Sequence, residues 1–115
     1  MADDTSESIL DSVRDFLDLN ADDSSKMFDR HILGHINSSL QELVQVGCGN
    51  DIYVKDGSTT WDNFLGASKS RGMAMDYVFS RVTLLFDPPA TGASLKAMQD
   101  HCSELLWRIS VQDNS

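Results

Sequence analysis

The chain has 115 residues, 41% of them hydrophobic, and a formal net charge of -9. This length predicts one domain that buries roughly two thirds of its unfolded surface, and the apolar share excludes a disordered polymer. An acidic chain repels phosphate backbones, which excludes conventional nucleic-acid binding through Lys and Arg.

The charge is unevenly placed. Residues 1–29 carry nine acids against Arg14 and Lys26, a balance of -7, and the other 86 residues carry nine acids against seven bases, a balance of -2. The expected origin is a solvated acidic helix face, or a wall that meets a basic partner or lets DNA pass without sticking. "MADDTSESIL" lacks the basic start and apolar stretch of a secretory signal, and no run approaches the ~18 apolar residues of a membrane span. Cys48 and Cys102 are accordingly expected as small buried side chains in a reducing compartment, not as a disulfide.

In chain order, the first helix is expected over Thr5 to Leu17, started by Asp4 with Glu7 in a box-like arrangement. Ile9, Leu10, Val13, Phe16 and Leu17 form its apolar face. "DLNADDSS" breaks the pattern, and Asp23 or Ser24 caps a second helix with Phe28, Ile32, Ile36, Leu40, Leu43 and Val44 as its stripe. Gly47 ends it in the left-handed conformation.

"CGNDIYVKDGSTT" is polar, with strand propensity at Ile52, Tyr53 and Val54 and a turn signal at Asp56-Gly57. It predicts a β-hairpin arm or an extended loop, exposed and touching a neighbouring subunit. Deleting Asp51 to Ser58 would then harm assembly more than monomer stability. A short helical turn over Trp61 to Leu65, capped by Thr59 or Thr60, follows.

A third long helix is expected over Ser68 to Phe86, with Met75, Val78, Val82 and Leu85 on its core face and Leu84 and Phe86 also in the core. Asp87-Pro88-Pro89 stops it and forms a stiff corner. The last helix begins near Thr91, and Leu95, Met98, Cys102, Leu105 and Ile109 make a bundle seam. The fold class is all-α: a small bundle of about four main helices with a polar loop or hairpin arm in the middle. It is a single domain over 1–115, with flexible ends at 1–4 and 112–115.

Constellations that could carry chemistry fail on their details. Asp18, Asn20, Asp22 and Ser24 fall at the first, third, fifth and seventh places of a calcium loop. However, Asp23 replaces the turn glycine, Ser25 the apolar eighth residue, and Asp29 the long bidentate Glu. His31 and His35 have the spacing of two zinc ligands, but Ile32 stands where a metalloprotease needs Glu. There is no nucleophile elbow or Walker motif, and "GCGN" lacks the third glycine of a dinucleotide fingerprint. Asn37-Ser38-Ser39 is a glycosylation sequon without a secretory signal. No enzyme activity, metal or cofactor is expected. The interface candidates are Ile52, Tyr53, Val54, Lys55 and Asp56 of the polar segment, together with Trp61, Trp107 and Arg108, where the tryptophans are equally compatible with a core edge.

Five segments in order carry a resemblance: "ILDSVRDFLDLN", "FDRHILGHINSSLQELVQVG", "STTWDNFLG", "YVFSRVTLLFDPP" and "ELLWRISVQ". From about Ile9 to Gln112 the chain resembles the phage head–tail connector family, differing in its acidic N-terminal extension and short tail beyond Trp107. The resemblance implies a structural virion protein in the neck, assembled in the host cytoplasm, forming a self-associated ring of about twelve copies. Its implied partners are the phage portal protein and the next neck or tail completion protein. DNA would pass through the centre without sequence-specific binding, and no membrane is involved. The alternative is a small acidic helical interaction module, a regulator or anti-repressor that masks a basic partner.

Overall fold

The computed structural model describes residues 7–19 and 27–114. Within them the chain forms five helices: α1 (Ile9–Phe16), α2 (Asp29–Gln45), α3 (Trp61–Leu65), α4 (Arg71–Phe86) and α5 (Gly92–Asp113). The all-α class holds. Among the described residues the polar excursion between α2 and α3 contains no strand, so of its two expected forms the loop is the one adopted.

α1 starts at Ile9, later than Thr5. Its cap is Ser8, whose Oγ accepts from the Asp11 amide at 3.2 Å. The reason is tertiary. The Glu7 carbonyl accepts from Trp61 N–H at 3.1 Å, and Ile9 N–H donates to the Thr59 carbonyl at 3.0 Å. This short antiparallel bridge between Ser8 and Thr60 holds residues 7–9 extended. Asp4 lies outside the described residues. Ile9, Leu10 and Val13 enter the core, and the buried Arg14 pairs with Asp29 at the start of α2. Phe16, expected on the core face, is 55% exposed.

α2 supplies the main apolar stripe: Ile32, Ile36, Leu40 and Leu43 have no exposed surface. Each such side chain contributes about 1.5–3 kcal/mol relative to exposure. The expected caps Asp23 and Ser24, and residues 20–26 of the calcium-loop comparison, lie outside the described residues. The helix ends at Gly47, whose φ of 91° is the left-handed conformation expected for it.

Two side chains fix the loop that follows. Gly49 has a φ of 90°, and a Cβ there would lie 2.5 Å from Phe64 Cζ, so only glycine lets the loop close over that ring. Val54 is fully buried, and Asn37 of α2 holds both of its backbone groups. The segment expected to stand out as an arm is therefore tied to the domain at its centre. α3 begins with a capping box in which Thr60 Oγ1 accepts from Asn63 N–H and the Asn63 side chain accepts from Thr60 N–H.

α4 is the central helix and packs on α2, α5 and α1. It starts at Arg71 and not Ser68, because 68–70 form a turn in which Ser70 N–H donates to Ser68 Oγ at 3.1 Å. Val78 and Val82 are buried as expected, with Ala74, Tyr77 and Leu84. Leu85 is the exception, 40% exposed, and Phe86 is only half-buried. α5 is capped by Thr91, and its seam buries Cys102, Leu105 and Ile109 while leaving Leu95 and Met98 half-buried.

α5 continues through Gln112 and Asp113, residues the sequence assigned to a loose end, and its last turn is clamped. Asp113 accepts from Ser68 Oγ at 2.9 Å and from Ser70 Oγ at 2.6 Å, and Asn114 Nδ2 donates to the Val46 carbonyl at 2.9 Å. Burial pushes the Asp113 carboxyl up. Hydrogen bonds from Ser70, Cys48 and Ser68, with the Lys69 charge nearby, outweigh this and hold it below its ordinary 3.8. A depressed folded-state value contributes stability above the unfolded pKa, which is lost as pH falls through the folded one. Asp113→Asn removes that titration. The wild-type thermal midpoint is expected to fall below about pH 4 by more than that of the variant. Parallel curves for the two proteins across this range would refute the clamp.

Candidate functional site

A polar cluster joins α2 to α4. Glu42 accepts from Tyr77 Oη at 2.6 Å and from Arg81 Nε at 3.2 Å, beside a cleft closed on the other side by Gln99, Cys102 and Ser103 of α5. Burial, then the hydrogen bond to Glu42, raises the Tyr77 hydroxyl pKa. Burial likewise pushes the Cys48 thiol up to about 11. Neither group is poised to lose a proton near neutrality, and each is engaged in holding helices together. Among the described residues no three His, Cys, Asp or Glu side chains converge as metal ligands.

The interface candidates separate into two classes. Trp61 and Val54 have no exposed surface. Trp61 Nε1 donates to Ser12 Oγ at 2.9 Å, and its ring meets Phe79 edge-on with centroids 5.8 Å apart. These two side chains are core, because each fills a gap that neighbouring helices leave; as an interface expectation both are corrected. Ile52 is half-buried. Tyr53, Lys55 and Asp56 are exposed, as are Trp107 and Arg108. Hydrogen bonds from the side chain and backbone of Ser58 hold the Asp56 carboxyl below its ordinary value, which makes 56–58 a tight turn and not a site. Tyr53 overlooks an open groove of about 820 Å³ bordered by Gly34, Ser38, Gln41 and Glu42.

Among the described residues two apolar surfaces are exposed. One runs over α1, the start of α2 and the end of α4. Phe16 stacks on Phe79 at 4.9 Å, Phe28 meets Phe86 edge-on at 5.6 Å, and Met27, next to Phe28 in sequence, is exposed. Phe79 and Phe86 lie about two turns apart on one face of α4, so Phe16 and Phe28 share a side of the molecule. Asp15, Asp18 and Asp87, all exposed, flank these residues in sequence, with Arg30 as a nearby base.

The other surface is the outer face of α5. Trp107 is 66% exposed and Val111 51%. Arg108 beside them makes an exposed 2.9 Å ion pair with Glu104. Tyr77, Arg81 and Leu84 of α4 face α5 across the cleft. Phe79 and Phe86, each two residues on from Tyr77 and Leu84, point to nearly the opposite side of α4. The two apolar surfaces therefore lie on opposite sides of the central helix. The sequence offers Trp107 as an interface candidate, and it is exposed; Phe16, Phe28 and Leu85, assigned to core stripes, are exposed too, because their helical spacing is indistinguishable from that of core residues. The available signal is a pair of phenylalanines, 16 and 28, bracketing an acidic stretch of sequence.

A model of the family described as phage connector protein matches residues 9–115. No curated protein matches the chain, and no solved structure does.

Proposed function

Since the chain belongs to the phage connector family, a family of structural phage proteins, we propose that it is the ring adaptor of the virion neck. It would sit between the portal and the next neck or tail component, with about twelve copies around a central passage for DNA. The family match over nearly the whole chain is the observation that carries this reading. Three further features support it. Two uncovered apolar surfaces on opposite sides suit a subunit with two neighbours. The acidic balance suits a passage to which DNA does not adhere. Among the described residues no helix is long and apolar enough to cross a membrane.

The test is fractionation of a lysate in which necks are intact. The chain is expected to co-purify with portal-containing heads and to be present in finished particles. Its absence from both would overturn the proposal in favour of a soluble regulator, which would sediment as a monomer or dimer bound to a basic protein.

A further inference from the structure

We propose that Trp107, with Arg108 and Val111, seats on the Phe16 and Phe28 surface of the next copy, so that subunits join head to tail through these two patches. This rests on the ring-adaptor reading above. A ring built by rotation about one axis needs two different, mutually complementary patches on opposite sides of each subunit, whereas a two-fold dimer needs a single self-complementary one. The chain has the first arrangement. Trp107 lies on the face of α5 turned away from the Cys102, Leu105 and Ile109 seam, and Phe16 and Phe28 lie across α4.

The two patches match in shape and in charge. One is a protruding indole on a helix ridge. The other is a broad aromatic surface on which a ring can lie, and aromatic pairs of this kind add to the area they bury. Three exposed acids, Asp15, Asp18 and Asp87, against one base, Arg30, flank the aromatic residues in sequence, and the ridge brings Arg108. Among the described residues Arg108 pairs with Glu104, and the two side chains are 58% and 61% exposed. Such a pair holds its partners weakly, so the guanidinium is available to an acid of the neighbour. Trp and Arg together are the residues on which interfaces most depend.

The experiment uses neck-bearing particles that carry Trp107→Cys and Phe16→Cys in the same chain, treated with a short bifunctional maleimide. A ladder extending beyond dimers is expected, because each subunit donates one thiol to each neighbour. Each single variant, and the wild type with Cys48 and Cys102 buried, should give monomers. Dimers from Trp107→Cys alone would show a two-fold contact and overturn the proposal, as would monomers from the double variant in particles that contain the chain. A chain absent from the particles altogether would remove the ring-adaptor reading, and this inference with it. Unchanged thermal midpoints for the isolated variants would show that the result does not come from misfolding.

Discussion

Trp61→Ala is expected to remove about 3–5 kcal/mol of folding stability, a large share of the 5–15 kcal/mol that holds a domain of this size. The side chain has no exposed surface, so truncation leaves a cavity between α1, α3 and α4. It also takes away the donor to Ser12 Oγ. Ser12 keeps its own bond to the Ile9 carbonyl at 3.0 Å. Trp61→Phe, which fills most of the volume, should therefore lose much less, with the missing hydrogen bond contributing about 1 kcal/mol. Urea denaturation of the isolated protein reads both. Near-native stability for Trp61→Ala would return this residue to the surface, where the sequence also allowed it to be.

The second large effect is at Asn37. Its Oδ1 accepts from Val54 N–H at 2.8 Å, and its Nδ2 donates to the Val54 carbonyl at 3.0 Å and to the Leu33 carbonyl at 2.9 Å. One amide side chain thus does for Val54 what a neighbouring strand would do. Asn37→Leu keeps the branched shape and strands two buried backbone groups, at about 1–3 kcal/mol each. The expected loss is about 2–6 kcal/mol, and the Val54 amide should lose its protection from hydrogen exchange. If the leucine variant were as stable as wild type, the 51–58 segment would be the free arm that its polarity suggests. By the same logic, deleting Asp51 to Ser58 should now damage the monomer first.

These two residues show where the sequence was legible. Helical periodicity located the stripes on α2, α4 and α5, and the Asp87-Pro88-Pro89 corner that folds α5 back on α4, because those features depend on spacing and local sterics alone. It failed at the starts of α1 and α4. α1 starts late because residues 7–9 pair with 59–61, a contact across some fifty positions that no local pattern announces. α4 starts late because Ser68 and Ser70 are engaged by Asp113. The polar loop misled for a related reason: Val54 is one apolar residue among polar ones, and only the facing Asn37 makes its burial favourable. At the surface, Phe16 and Leu85 obey the core period and stay half-exposed, since a helix face wider than its partner leaves its margin uncovered. The family resemblance was legible in five short segments because their order and spacing together are far more specific than any one of them.

The two ends of α5 differ from its middle in a way that matters for recognition. The helix is 22 residues long, about 33 Å. The proline corner and the Thr91 cap fix its beginning, and Asp113 and Asn114 fix its last turn. Trp107 is carried on a strut with both ends anchored. A binding partner that covers the indole has only its two side-chain torsions to immobilise and no backbone to order. The entropic penalty of association is correspondingly small, and a modest contact area can suffice for a stable junction.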